Sequence, residues 1–340
     1  MSIFARALVV LVAIVALLGL LGIFLPSGAH VERSATIEAS PATVFALVNG
    51  FRSFNKWSPW FERDPEARYE LTGPDFGVGA KLTWFSENPQ VGSGYQEIVA
   101  SEPYSGVRCH LDFGSQGTAE TFYRIEPIDG STLLTWGFDS EFGMNLISRY
   151  FGLMFDKWIG ADYDAGLANL AALAAELPKA DWTDLEIAAV AVEPTTIAYL
   201  SSSSGWGHEA IGQAWADANG AVMAFMTKHE LEQGGPPVAI TNSYDDEVWR
   251  FDAGVPVAGS AEIEIDVDSA VQIRETYGGK AVRGIHLGSY ADLSASWDKV
   301  AAYAAAHGFE VIGSTWEAYV SDPASTPEAE LTTYLFMPVQ

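Results

Sequence analysis

At 340 residues, 49% of them apolar and 12% aromatic, the chain is long enough for two domains and apolar enough to fill both cores, which excludes wholesale disorder. Eighteen Lys and Arg stand against 44 Asp and Glu, and the resulting net charge of −26 repels phosphate backbones and excludes non-specific nucleic-acid binding. The single cysteine, Cys109, excludes an internal disulfide, a Cys-rich zinc site and a redox pair.

From Ala7 to Leu25 run 19 uncharged, almost wholly apolar residues. At about 1.5 Å per residue they make about 28 Å of helix, close to one hydrocarbon core. Residues 1–29 therefore read as a membrane anchor or signal segment. Arg6 precedes the run, so the positive-inside tendency leaves the amino terminus cytoplasmic and the remainder exported behind a single pass. The alternative is secretion after cleavage. Ser27-Gly28-Ala29 fits a small-x-small cleavage site, although the apolar stretch exceeds the roughly 7–15 residues of cleaved signals.

Val31 to Ile37 alternates apolar with polar residues, as a half-buried strand does. Ser40 is placed to cap a helix and Pro41 to open it, with Val44, Phe45 and Val48 at helical spacing. Residues 52–61, RSFNKWSPWF, crowd four aromatics and a proline into a tight turn. From Ala80 to Phe138 the segments KLTWF, GYQEIVASE, GVRCHLDF, GTAETFYRIEPI and STLLTWGF predict strands between Gly, Pro, Asn and Asp turns. Leu146 to Leu177 predicts one long helix, with Tyr163, Leu167, Leu170 and Leu177 on a stripe and Pro178 as its stop. Over residues 30–177 this is α+β grammar.

The opening Val31-Glu32-Arg33-Ser34, then Ser40-Pro41, Val44-Phe45 and the Trp57-Ser58-Pro59-Trp60 turn, resemble the START-like (polyketide cyclase/dehydrase, SRPBCC) superfamily. The resemblance implies a helix-grip fold, in which a curved sheet grips the C-terminal helix around a cavity. It implies little chemistry, since that superfamily includes cyclases, lipid carriers, hormone receptors and non-catalytic binders. Trp84, Tyr95, His110, Phe113, Trp136 and Phe138 are candidates to line the cavity, against the plainer role of filling a core. His110 is the candidate general acid or base there, against a hydrogen-bonded core or surface group. No Ser/His/Asp order or nucleophile-elbow spacing is present.

Residues 178–184, PKADWTD, break the long helix and form a linker. Charge is uneven across it: residues 1–184 carry a net −10 and residues 185–340 a net −16. Beyond it, Ile211-x-x-x-Trp215 recurs as Leu293-x-x-x-Trp297, and Pro256-Val257 as Pro338-Val339, each 82 positions on. The repeats span 185–257 and 271–339, and each reads as strand, helix, strand, strand. In the first, a strand over 186–201 precedes a helix near 207–231 and strands near 237–243 and 247–254. In the second, a strand over 271–287 precedes a helix near 290–307 and strands near 311–321 and 330–338. The Ile/Trp and Leu/Trp pairs mark helix faces packed on their own sheets, a structural role for both tryptophans. Two such units leave a groove along their pseudo-twofold.

The blocks YGGKAVRGIHLGSY (277–290), Trp297, GSTWEAYVSDP (313–323) and TYLFMPV (333–339) resemble the GyrI-like small-molecule-binding domain, also the effector-binding module of AraC- and MerR-type regulators. In that family the groove takes cationic aromatic or other lipophilic molecules, and a glutamate on the second repeat supplies the counter-charge. Glu317 holds that position. The family's helix-turn-helix is replaced here by an apolar segment and the START-like domain, which argues against a direct role in transcription. Independently of the resemblance, strand alternation puts Thr315, Glu317 and Tyr319 on one face. A carboxylate among rings suits a lipophilic cation. Tyr290, Tyr319 and Tyr334 are candidate groove walls, with Trp206 and Trp249 as weaker ones.

These features favour a membrane-tethered protein that captures lipophilic, cationic or aromatic small molecules in the GyrI-like groove, the START-like cavity or both. One alternative is a hydrolase or cyclase with Glu317 as general base assisted by Tyr319; another is a regulator acting on a protein partner. No cofactor is implied, for Walker, dinucleotide and HExxH patterns are absent. No two of the six histidines lie within four positions, so no helical metal pair is expected.

Overall fold

The structure, a computed structural model, describes residues 3–259 and 269–340. The Arg6 side chain, on which the expected orientation rests, lies outside the described side chains. The chain divides into two compact units, one of residues up to Lys179 with Ala306–Gly308 and one of the remainder.

The first unit begins with α1 (Ile3–Phe24), whose 18-residue window Ala7–Phe24 has a mean hydropathy of 3.1 and is almost wholly exposed. It is long and apolar enough to cross a membrane. β1 (Gly28–Ile37) follows, then α2 (Pro41–Val48). As its sequence predicts, Ser40 caps α2 by accepting the Thr43 amide hydrogen at 3.2 Å, with Pro41 in the first turn. The aromatic turn resolves into two short helices, α3 (Phe54–Trp57) and α4 (Pro59–Arg63), which bury Trp57 completely.

Six further strands complete a seven-stranded antiparallel sheet: β2 (Arg68–Thr72), β3 (Lys81–Phe85), β4 (Gly94–Glu102), β5 (Gly106–Asp112), β6 (Thr118–Ile128) and β7 (Ser131–Glu141). The order β1-β7-β6-β5-β4-β3-β2 pairs the first strand with the last, in register Val31 opposite Phe138. β2 has no counterpart in the sequence reading. It is a short edge strand with four of its five residues exposed, so it lacks the alternation that marks the others.

The expected long helix is two helices, α5 (Leu146–Gly152) and α6 (Phe155–Glu176). The Phe142 ring occupies the space where Gly152 would carry a Cβ, and the chain turns there through Leu153 and Met154. α6 presents Tyr163, Leu167 and Leu170 to the sheet, as the stripe predicts, while Leu177 is only half-buried at its end. Trp136 of β7 stacks on Tyr163 with ring centroids 3.8 Å apart. Gly166 permits this approach, because a Cβ there would stand 2.7 Å from the Trp136 ring.

The second unit contains β8 (Glu186–Val192), β9 (Thr196–Gly205), α7 (His208–Lys228), β10 (Val238–Tyr244), β11 (Val248–Pro256), β12 (Gln272–Glu275), β13 (Gly279–Leu287), α8 (Leu293–Ala306), β14 (Trp316–Tyr319) and β15 (Thr332–Pro338). Each repeat therefore has two strands, not one, before its helix. They form one eight-stranded antiparallel sheet in the order β12-β9-β11-β10-β14-β15-β13-β8. The order is palindromic between repeats, with the pseudo-twofold between β10 and β14. The first strand of each repeat pairs with the second strand of the other: β8 with β13, and β12 with β9. The two halves thus share one sheet and exchange edge strands, where separate sheets were expected.

Both helices cover the same face. On α7, Ala214, Trp215 and Ala218 meet Ala239, Phe251 and Ala253. On α8, Val300 sits where a Gly284 Cβ would be, and Ser296 bonds His286 of β13 at 2.8 Å. His286 is buried with both ring nitrogens engaged, the second by the Ser289 carbonyl at 3.0 Å. Trp182, in the segment expected to be a linker, belongs to the second unit and is buried there against Tyr303, with ring centroids 6.1 Å apart.

Candidate ligand-binding site

Strand alternation aims the even residues of β3 and β4 and the odd residues of β5 and β6 at α6. Near the middle of α6 the Trp136–Tyr163 stack fills the space between sheet and helix. Towards its N-terminal end the facing side chains are Ala119 and Gln96, and a cavity of about 680 Å³ opens. Its walls are aromatic and aliphatic, among them Trp60, Trp84, Leu111, Phe113, Phe138 and Phe155. A loop through Pro89–Ser93 and the segment Ser140–Asn145 complete it.

Polar side chains share these walls, among them Gln90, Gln96, Gln116, Asn145 and the carboxylates Glu141 and Asp162. Gln96 is 5% exposed and lines the cavity. The Tyr69 hydroxyl is buried without a partner, and burial, with the nearby Asp64 charge, raises its pKa. Tyr163 is pushed further up by burial and is bonded to Thr121 at 3.2 Å. Thr121 in turn accepts from Trp136 Nε1 at 2.9 Å and donates to the Gly137 carbonyl at 2.8 Å, a satisfied buried chain. Asp162 reaches the wall as a bidentate partner of Arg63, which neutralises it. Both phenols are thus uncharged at neutral pH.

Of the six residues expected here, Trp84, Phe113 and Phe138 line the cavity. Trp136 is sealed in the core, 2% exposed. Tyr95 and His110 lie on the outer face, one register step from the inward Gln96 and Leu111. There Tyr95 stacks under the Lys81 ammonium at 3.5 Å, with His110 beside it at 6.2 Å. A catalytic His110 inside the cavity is therefore corrected: alternation turns it outward. The Cys109 thiol points inward, fully buried, its pKa pushed up to about 12 by burial.

In the second unit Glu317 stands on β14 directly opposite Ala239 of β10, beside the pseudo-twofold. Its carboxylate is half-buried and held from both sides. Trp297 Nε1 donates to Oε1 at 2.9 Å, and the Tyr319 hydroxyl donates to Oε2 at 2.5 Å. Tyr319 meets Tyr290 edge-on at 5.5 Å and Trp215 at 4.8 Å. Burial, then the Glu317 charge, raises the Tyr319 pKa well above its ordinary value, so it remains a donor. Tyr290 is raised more modestly by burial and by the charges of Asp322 and Glu317.

Trp249 belongs to the same face, stacked on Phe251 at 4.0 Å in the cluster that packs against Trp215 and Tyr319. Tyr334 does not. It lies on the opposite face against Phe336, with the Arg283 guanidinium over its ring at 5.2 Å. Trp206 is 51% exposed beyond the end of β9, bonded to the Asp245 carbonyl at 2.8 Å and away from the Glu317 cluster. Trp297, read as structural, also bonds the carboxylate, while Trp215 packs on the sheet as expected and reaches the cluster through the Tyr319 ring. The recurrence at 82 residues carried that signal, for symmetric positions flanking a twofold converge on it.

The sheet face away from the helices holds a smaller cavity of about 190 Å³, bounded by Asn242, Arg274, Tyr277 and Trp316. Beside it Asp252 is 2% exposed. It accepts from Ser201 at 2.6 Å and Asn242 at 2.8 Å, and pairs with Arg274 at 2.7 Å. Among the described residues no group of three His, Cys, Asp or Glu gathers that could hold a metal ion.

Residues 28–175 match the family described as polyketide cyclase / dehydrase and lipid transport, and residues 186–340 match the GyrI-like small molecule binding domain. No curated protein matches. Among solved structures, the chain is similar to the C-terminal domain of EcmrR, at 13% identity over 46% of this chain and 98% of that one, with a TM-score of 0.40. It is similar to a hydrolase from Listeria innocua, at 15% identity over 46% and 92%, TM-score 0.34. A third likeness is to truncated norcoclaurine synthase from Thalictrum flavum, at 12% identity over 44% and 94%, TM-score 0.35. The chain therefore joins a domain of the polyketide cyclase/dehydrase and lipid transport family to a GyrI-like small-molecule-binding domain, in that order.

Proposed function

We propose that the protein is a membrane-tethered binder whose N-terminal cavity holds one lipophilic small molecule. The carrying observation is that cavity of about 680 Å³, walled by aromatic and aliphatic side chains with polar groups among them. Ligand pockets are typically about 300–1,000 Å³, mostly apolar, with a few polar groups that fix orientation. Gln96 and Tyr69 are suited to that role, one offering an amide and the other a hydroxyl donor. With Asp162 neutralised by Arg63 and His110 outside, holding a ligand is better supported than transforming it. In this reading α1 is the tether, residues 178–184 link the domains, and the soluble part stands on the exported side. The test is titration with Nile red. Ala119 points into the cavity, so Ala119→Trp fills it, and an affinity loss of about tenfold or more is expected with little change in melting. Equal affinity in both proteins rejects the cavity as the site.

The second unit supports a second site, for a lipophilic cation. The specific observation is an acid pinned between Trp297 and Tyr319, with Tyr290 and Trp215 packed on the Tyr319 ring. A cation there gains Coulomb attraction and ring contact together. Calorimetry with tetraphenylphosphonium is expected to show binding that Glu317→Gln weakens about tenfold. Unchanged affinity removes Glu317 from any site. A general-base role is less well supported, since both carboxylate oxygens already accept hydrogen bonds from the protein's own side chains.

A further inference from the structure

Within the first unit, the mouth of the cavity and the end of the apolar helix are built from one segment. Arg149 of α5 is 8% exposed, and its guanidinium donates to the carbonyls of Ile23 at 2.8 Å and Leu25 at 3.1 Å, closing the last turn of α1. The same group holds the Gly143 carbonyl at 2.6 Å. Tyr150 donates its hydroxyl to the Leu18 carbonyl at 2.7 Å. A Cβ on Gly22 would stand 3.2 Å from the Tyr150 ring, so α1 and α5 are in close contact. Leu18 lies seven residues, about 10 Å of helix, before the apolar run ends at Leu25. α5 is therefore level with the last third of the apolar span, not beyond it.

The outer surface of this segment is apolar. Ile147 and Phe151 of α5, Met154 of the turn and Trp158 of α6 are 70%, 54%, 42% and 45% exposed. Leu153 beside them is 60% exposed. Two members of this patch, Phe151 and Trp158, also line the cavity. The one charge on α5 is Arg149, which is buried, and Asp156 beyond it is paired with Arg33 at 3.0 Å. An exposed apolar patch continuous with a span is what interfacial seating requires.

We infer that α5 and the turn after it seat in the interfacial zone of the bilayer that α1 crosses, so that the cavity mouth opens to lipid and ligand enters from the membrane. The inference rests on the reading of α1 as a tether. It selects ligands that partition into bilayers, and it explains why a domain of net charge −10 carries bare apolar side chains at that edge.

The test uses the full chain in vesicles of zwitterionic phosphatidylcholine, because so acidic a protein is repelled by anionic lipid. Ile147→Cys, Leu153→Cys, Leu17→Cys and Glu126→Cys are each labelled with an environment-sensitive nitrobenzoxadiazole, the buried Cys109 staying unmodified. Lipid brominated high on the acyl chain is the quencher. Labels at 147 and 153 are expected to shift to the blue and to be quenched about threefold more than the label at 126, as is the label at 17. Quenching at 17 with water-like emission at 147 and 153 overturns the inference and leaves the tether standing. A blue shift at 147 and 153 without quenching means that protein covers the patch, and overturns it too. No quenching at 17 overturns the tether and the inference together.

Discussion

The two domains face the same problem, an antiparallel sheet with a face to bury, and solve it in opposite ways. The seven-stranded sheet closes over α6 and leaves about 680 Å³ between them, with rings, amides, phenols and the acids Glu141 and Asp162 in its walls. The eight-stranded sheet is covered by two helices on one face and by stacked rings such as Trp316 and Phe336 on the other, leaving a cavity of about 190 Å³ there. Its acids are clamped: Asp252 by Arg274, Ser201 and Asn242, Glu317 by Trp297 and Tyr319. One domain offers space, the other clamped acids with little space. The difference teaches that a sheet gripping a single helix can leave a cavity, while a sheet covered on both faces gives that space over to packing.

The largest way to break this contrast is Trp136→Ala. Trp136 fills the core beside the cavity and bonds Thr121, so its loss costs about 3–5 kcal/mol. Calorimetry of the full chain is expected to show a lowered transition for the first domain and an unmoved one for the second. A common shift of both transitions denies their independence.

Asp252→Ala comes next. It strips a buried acid from a partly exposed Arg274 and leaves two donors unpaired, for about 2–3 kcal/mol, seen as a lower urea midpoint of the second domain alone. No change would mean that the clamp is ornamental.

The smallest effect is in pH. His30 is held by Asp139 at 2.7 Å, which raises its pKa against the opposing effect of desolvation. A raised histidine pKa stabilises the fold in the protonated state. That contribution is full below about pH 6.5 and fades as pH rises through the folded value. Because the side chain is 55% exposed, it amounts to about 0.5 kcal/mol or less. Urea midpoints of wild type and His30→Asn are expected to converge at alkaline pH and separate slightly at pH near 5.5; a difference growing with pH contradicts the pairing.

Much of the fold is legible in the sequence, because its signals are local. Alternation and turn residues mark β3 to β7 nearly to the residue, and Ser40-Pro41 marks the start of α2. The exchange of β8 and β12 is invisible there, since pairing partners lie far apart in the chain. The break at Gly152 is hidden because the apolar stripe runs on through Met154 to Trp158, outside rather than inside.

The candidate sites follow the same division. Glu317, Tyr319 and Tyr290 are found by motif and alternation and do come together. Tyr95, His110 and Tyr334 fail on parity. Being aromatic made them cavity candidates, but their strands turn them to the other face. Trp215 and Trp297 were hidden by a sound rule, that apolar pairs four apart on a helix pack inward. Trp297 does so onto the carboxylate and Trp215 onto the Tyr319 ring.

The most direct test of the N-terminal cavity as the ligand site is extraction of the full chain, purified from membranes, followed by mass spectrometry of the apolar extract. About one equivalent of an apolar compound per chain is predicted for wild type, falling several-fold in Ala119→Trp. Equal amounts from both proteins, or none from either, would contradict it.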